Sequence, residues 1–114
     1  MAPIRKRRDF LAANAGRRIA TPGFVLLVRD REDDDDARRL GLTVSRKVGN
    51  AVVRNRMKRR FRELLRELLP HGGMPGHDHI VIGRREGIER PFGQLRDDLA
   101  AGLAHVARKL ESAQ

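Results

Sequence analysis

The chain contains no cysteine, tryptophan or tyrosine, and these absences exclude several classes of function. Without cysteine it can form no disulfide, thiolate zinc site or cysteine nucleophile, a composition compatible with a reducing cytoplasm. No apolar run approaches the roughly 20 residues that cross a bilayer, and no signal-peptide core follows the basic residues 5–8, so we expect a cytoplasmic protein without a membrane partner. A membrane-surface role is disfavoured as well, because no Trp or Tyr is present to anchor a helix.

Acidic residues are scarce outside one short segment. The 114 residues, of which 39% are hydrophobic, suit one compact domain spanning residues 1–114. The formal net charge is +10, yet five of the fifteen acids lie together at residues 32–36, so the rest of the chain carries +15. This excess indicates a polyanionic partner. We interpret the acidic run itself as a solvated hairpin turn rather than a metal site.

The most basic segment also has the period of a helix. Residues 46–66 contain nine Lys or Arg and a single acid, Glu63. A helix from Ala51 to Leu69, capped by Asn50 and ended by Pro70, would bury one apolar stripe. That stripe consists of Val53, Met57, Phe61, Leu64, Leu65 and Leu68. Roughly opposite lie Asn55, Lys58, Arg59, Arg62 and Arg66. Because unpaired like charges repel, this acid-free arc predicts contact with successive phosphates of a nucleic acid.

The other elements follow from periodicity and from glycine and proline positions. The pattern predicts a short helix at Asp9 to Ala15, strands at Phe24 to Val28, Leu40 to Val44 and Asp78 to Gly83, and a last helix opened by Pro91. The order is therefore helix, strand, strand, helix, strand, helix, with the first two strands expected to form a hairpin. Phe61 and Phe92 lie on apolar stripes and are expected in the core.

The stretch Lys47 to Arg59, KVGNAVVRNRMKR, closely resembles the signature of the protein subunit of bacterial ribonuclease P, with its Arg-Asn-Arg centre. The likeness extends over about residues 4 to 110, through Asp9-Phe10, Phe24 to Leu26, Gly41 to Ser45 and Asp78 to Ile82. The resemblance implies an α+β fold, a single-domain α/β sandwich with a mainly antiparallel sheet. It also implies that a left-handed βαβ crossover carries the basic helix, an exception to the usual right-handed connection.

The same resemblance implies a function. The family's ribonucleoprotein is an endoribonuclease that removes the 5′ leader from precursor tRNA, and its catalytic RNA binds the Mg²⁺ and performs the hydrolysis. The protein is then an accessory subunit without catalytic or metal-ligating residues. Its expected partners are the catalytic RNA and precursor tRNA, and no DNA.

Family roles carry over to two groups of residues. The face beside the catalytic RNA would comprise Arg46, Lys47, Arg54, Asn55, Arg56, Lys58, Arg59 and Arg62, to which the helical arc adds Arg66. The cleft for the single-stranded leader would comprise Phe10, Val25, Leu27 and Thr43, with Arg84 and Arg85 holding leader phosphates further along. Asn14 and Leu27 stand where some relatives carry aromatic residues, so stacking should be poorer here. Val48 and residues 51–53 are expected only to pack.

Two other functions remain open. A different RNA-binding module, or a DNA reader of the helix-turn-helix type, could use the basic helix, but the latter needs a partner helix just upstream, where residues 42–45 have the pattern of a strand. An autonomous nuclease would need a group of acids and histidines that the sequence does not display. His77 and His79 share one face of a strand, but two imidazoles without a third ligand make a poor zinc site.

Overall fold

A computed structural model describes residues 2–112 of the chain, with the side chains of residues 2–110. Five strands form one sheet in the order β1-β4-β5-β3-β2. The strands are β1 (Ala2–Pro3), β2 (Arg17–Ala20), β3 (Phe24–Asp30), β4 (Arg39–Thr43) and β5 (His77–Gly83), and the helices are α1 (Arg7–Ala12), α2 (Ala51–Gly72) and α3 (Phe92–Ser112). The α+β class and the predicted order of the longer elements are confirmed. The two short strands at the sheet edges, β1 and β2, were not predicted.

The sheet is mixed, and the predicted hairpin is wrong. β3 is antiparallel to β2 and β5, whereas β4 is parallel to β1 and β5. β5 therefore lies between the two strands that were expected to pair. β3 and β5 are buried on both faces and take the middle of the sheet, so β4 reaches β5 only through the crossover that contains α2. The βαβ crossover is confirmed, and its left-handedness stays a prediction.

One face of the sheet is covered by α2 and α3. Phe24, Leu26 and Val28 of β3 and Val81 of β5 pack there against the apolar stripes of both helices. The stripes contribute Met57, Phe61, Leu64, Leu65 and Leu69 from α2, and Leu95, Leu99, Leu103 and Val106 from α3. Phe24 and Phe61 meet edge to face, with ring centroids 5.4 Å apart. This packing fixes α2 against the sheet and turns its other side outward.

The opposite face is covered only in part, by α1, the chain before it and the turn after it. Ile4 and Ala13 pack there on Leu27 and Ile80, and Phe10 lies at the margin of the same cluster. The ring of Phe10 lies directly over Gly41, where a Cβ atom would come 2.8 Å from its Cε1. Glycine at this position of β4 therefore allows the close approach of α1 to the sheet.

The ends of the helices depart slightly from prediction. The Asn50 side chain accepts a hydrogen bond from the backbone N–H of Val53 at 3.0 Å, as expected of an N-cap. Pro70 does not end α2 but lies inside its last turn, which closes with a 2.9 Å bond from the Gly73 N–H to the carbonyl of Leu69. A proline is tolerated there because the N–H that it lacks would serve only the last turn of the helix. The first helix begins at Arg7 and continues as a 3-10 turn over Ala13–Ala15.

A buried carboxylate anchors the first half of β5. Asp78 is fully buried and receives hydrogen bonds from Arg39 (2.6 and 2.8 Å) and Arg31 (3.0 Å), while Arg29 lies 3.8 Å away. Burial opposes ionisation of Asp78, but the two hydrogen-bonded guanidinium groups outweigh it and lower the pKa of the carboxyl. Asp9 of α1 lies 3.6 Å from Arg29 and 3.5 Å from Arg39, which connects the helix to this cluster.

Candidate nucleic-acid interface

The outward side of α2 is a continuous cationic surface. Asn55, Arg56, Arg59, Arg62 and Arg66 are exposed, and Lys58 and Arg54 are half-buried. Within the described residues, none of these cationic side chains forms a salt bridge. Arg59, Arg62 and Arg66 border a shallow depression of about 300 Å³, and Glu63 lies at its margin. The arc predicted from helical periodicity is therefore present on the surface. Its charges are free to meet an anion.

Arg54 is a special member of this set. Its Nε atom is buried and has no hydrogen-bond partner, while the rest of the side chain is half-buried beside the first turn of α2. A buried guanidinium nitrogen without an acceptor is unfavourable in the free protein. An acceptor supplied by a partner would relieve that cost.

The turn before α2 extends the surface. Val44 and Val48 are buried and hold the turn on the core, and the Val48 N–H donates to the carbonyl of Ser45 at 3.1 Å. Arg46 and Lys47 between them point outward. The expectation that residues 51–53 only pack is wrong for Val52, which is 78% exposed at the start of the cationic surface. The helical period could have shown this, because Val52 lies roughly opposite the apolar stripe of α2.

Predicted cleft residues on the α1 face divide into buried and open positions. Val25, Ile82 and Thr43 are register neighbours across β3, β5 and β4, and Ile82 and Thr43 form a short row on this face. Thr43 is exposed and Ile82 is half-buried, so this row is the open part of the face. Leu27 is only 2% exposed and packs with Ile4 and Ala13, which corrects its assignment to a ligand-contacting position.

Phe10 of α1 is half-buried and packs against the cluster that lies beneath the open row. Sequence reasoning missed Ile82, although the alternation of Ile80 and Ile82 in β5 places both on this face. Val25, at 6% exposure, contributes mainly to the floor beneath the row. The arrangement is a small apolar surface of the kind that accepts unpaired bases.

Arg84 and Arg85 follow directly after β5, at the same edge of the sheet as the turn that leads into α2. This placement results from the parallel direction of β4 and β5. Both side chains are exposed, and each is held by one backbone carbonyl: Arg84 donates to Thr21 at 3.0 Å and Arg85 to Lys47 at 2.6 Å. Their positions are thereby fixed, with other N–H groups available for phosphate. The open row and the cationic surface meet at this edge.

The acidic loop is ordered by its own contacts. Asp33 accepts hydrogen bonds from Arg31 (2.9 Å) and from the N–H of Asp35 (3.2 Å), and Asp35 accepts one from Ala37 (2.8 Å). The hydrogen bond from Arg31 lowers the pKa of Asp33. Within residues 2–112, no group of three or more His, Asp or Glu side chains is arranged to hold a metal ion. His77 bonds to the carbonyl of Pro75 and does not converge with His79 on a site.

None of the described helices is long and apolar enough to cross a bilayer. The element before the basic helix is strand β4 followed by a turn, so the arrangement needed for a helix-turn-helix reader is not present in this part of the chain.

Comparison with known proteins agrees with this geometry. The family model described as Ribonuclease P matches residues 2–107. The ribonuclease P protein component of Erythrobacter litoralis is 63% identical over 102 residues, covering 90% of this chain and 83% of the relative. The ribonuclease P protein of Thermotoga maritima superposes with a TM-score of 0.78 at 35% identity, covering 93% of this chain and 98% of the other. That of Staphylococcus aureus gives 0.76 at 32% identity, with 96% and 95% covered. By family model, sequence and fold, the chain belongs to the ribonuclease P protein family and has a role in that ribonucleoprotein.

Proposed function

We propose that this chain is the RNA-binding subunit that docks on the catalytic RNA of ribonuclease P through the outward side of α2 and supplies no catalytic group itself. The observation that carries the proposal is the set of exposed arginines without acid partners in the described chain, above all Arg56, Arg59, Arg62 and Arg66. Arginine binds phosphate bidentately and stays charged at all physiological pH values, which suits a permanent RNA contact. The cytoplasm is the proposed location.

The second part of the proposal concerns the substrate. The single-stranded 5′ leader of precursor tRNA crosses the open row formed by Thr43 and Ile82, above Val25 and beside Phe10. Apolar and aromatic surface receives the bases, and Arg84 at the adjoining edge receives phosphate. Because mature tRNA lacks the leader, these contacts raise affinity for the precursor alone.

The third part concerns Mg²⁺. In the acidic loop, Asp33 accepts from Arg31 and from a backbone N–H, and Asp35 accepts from a backbone N–H. No group of three or more acids or histidines among the described residues is arranged to hold a metal ion. We assign Mg²⁺ and bond breaking to the RNA. The cations of α2 lower the repulsion among crowded phosphates, which helps the folded RNA retain its ions at moderate salt.

A cleavage assay tests the proposal directly. Precursor tRNA is incubated with protein alone, catalytic RNA alone, and both, at low and at high Mg²⁺. We expect no product from protein alone, cleavage by RNA alone only at high Mg²⁺, and rescue by protein at low Mg²⁺. Product from protein alone would favour an autonomous nuclease. Absence of rescue, with tight binding to duplex DNA, would favour a DNA-binding module.

A further inference from the structure

Phe92 departs from its expected place in the core. It is the first residue of α3, and the rest of that stripe is buried at Leu95, Leu99 and Leu103, yet Phe92 is 37% exposed. The chain has four phenylalanines and neither Trp nor Tyr, and Phe24 and Phe61 are fully buried. Phe92 is therefore an aromatic ring with an accessible surface that the packing of the core does not explain.

Arg60 holds this ring in a fixed setting. Its guanidinium carbon lies 6.0 Å from the ring centroid of Phe92, within cation–π range. The same guanidinium donates hydrogen bonds to the carbonyls of Ile88 at 3.1 Å and Arg90 at 2.5 Å. These bonds tie α2 to the segment that leads into α3. Arg60 is thus engaged within the protein and lies over one side of the Phe92 ring.

The ring lies next to the cationic surface of α2. Arg56 is exposed one helical turn before Arg60, and burial and then the charge of Arg56 lower the pKa of Arg60, as expected for close neighbours. Val53, Arg56 and Ile88 line the narrow seam between α2 and the segment before α3. Two acids lie on this side of α2: Glu67 is paired with Arg96 at 2.9 Å, and Glu63 is exposed three residues after Arg60. Arg56 forms no salt bridge among the described residues, so a cation without an acid partner lies near Phe92.

We propose that Phe92 is a stacking platform for an unpaired base of the RNA bound along α2, with Arg56 contacting a phosphate of the same strand. This inference rests on the proposed function and adds a site on α3 to the RNA-binding surface. An aromatic face backed by a cation suits a nucleobase, because every base presents a π-face, and flanking cations hold its backbone.

The absence of native tryptophan gives a direct test. The Phe92→Trp variant carries a single indole, and its emission is followed while catalytic RNA is added. We expect strong quenching, because a stacked base quenches indole fluorescence on contact. Leu11→Trp, on α1 and 56% exposed in the parent residue, is the matched control and should change little. Unchanged emission of Phe92→Trp at saturating RNA, or equal quenching of both variants, would overturn the proposal.

Affinity gives an independent readout. Phe92→Leu keeps apolar bulk but removes the π-face, and we expect it to weaken binding to catalytic RNA by roughly 5- to 150-fold, the range for loss of one stacked base. Phe92→Trp should bind like the wild type, and thermal unfolding of both variants separates this effect from misfolding. Equal affinity of Phe92→Leu and wild type would overturn the platform alone. If the wild-type chain itself did not bind the RNA, the proposed function would fail, and this inference with it.

Discussion

Protonation of His79 should lower the free energy of unfolding at pH values higher than those at which carboxylates titrate. The ring is fully buried on β5; its Nε2 accepts from the N–H of Met74 at 3.0 Å, so the proton is on Nδ1, which donates to the carbonyl of Arg39 at 3.1 Å. Burial lowers the pKa of His79 to about 4, against the hydrogen bond to Arg39, which raises it. A neutral ring thus joins β4, β5 and the glycine-rich turn before β5.

The sign and size of the effect follow from linkage. Between the unfolded pKa near 6.5 and the folded pKa, the unfolded chain binds more protons, so stability falls as the pH decreases through this window. With a pKa of about 4 for His79 in the folded protein, the free energy of unfolding should fall by about 2 kcal/mol between pH 7.5 and pH 5. Asp78 affects stability at lower pH: because its pKa is lowered in the folded protein, the stability that it contributes is lost only as the carboxyl becomes protonated.

Urea unfolding followed by far-ultraviolet circular dichroism, at constant ionic strength from pH 7.5 to pH 5, measures this loss without needing an aromatic fluorophore. His79→Gln should be less stable at pH 7.5 but should lose the His79 part of the pH dependence. His105→Gln, at an exposed position of α3, is the matched control and should keep the wild-type slope. A wild-type free energy of unfolding that stays constant over this range, or a His79→Gln slope equal to the wild type, would refute the reasoning.

Three other perturbations have distinct expected results. A plot of log affinity for catalytic RNA against log salt, measured by filter binding, should be less steep for Arg59→Ala by roughly 0.7 to 0.9. Arg18→Ala, on the edge strand β2, should keep the wild-type slope. Equal slopes for wild type and Arg59→Ala would exclude a phosphate contact at Arg59. Phe10→Ala should weaken precursor tRNA binding but not mature tRNA binding, with the exposed Leu11→Ala as control; equal losses for both RNAs would exclude Phe10 from the leader cleft. Asp78→Asn should destabilise the fold by about 3 to 5 kcal/mol in urea, because three arginines lose their buried counter-ion, and a change below 1 kcal/mol would contradict this role.

Periodicity predicted the helices and the central strands because these elements bury long apolar stripes. Phe61, Leu64 and Leu95 lie where their spacing places them. The edge strand β2 has a single large apolar residue, Ile19, among arginines and alanine, and its pairing with β3 depends on backbone hydrogen bonds that leave no pattern in the sequence. Strand order was not predictable either, because backbone pairing leaves no pattern in the sequence. The order also depends on which strands are buried on both faces, here β3 and β5.

The candidate site was predicted as a set of residues but not as a surface. Asn55, Arg59 and Arg62 follow from their angular position on a helix. Leu27 was expected in the open cleft but is buried, and Phe92 was expected in the core but is partly exposed at the start of α3. Both outcomes depend on how far a neighbouring element extends over the sheet or helix. The spacing of apolar residues holds no information about that.

The function of each arginine in this chain depends on its partner, which the sequence does not display. Arg31 and Arg39 bond to Asp78 and hold the fold, and Arg60 bonds to backbone carbonyls and holds α2 against the segment before α3. Arg59 and Arg62 carry the same side chain but have no acid partner among the described residues. Asp9 and Asp78 thus neutralise structural arginines, and the exposed arginines of α2 have no acid partner in the described part of the chain. A protein of this net charge can therefore keep a stable core while presenting its surplus of cations to RNA from one helix.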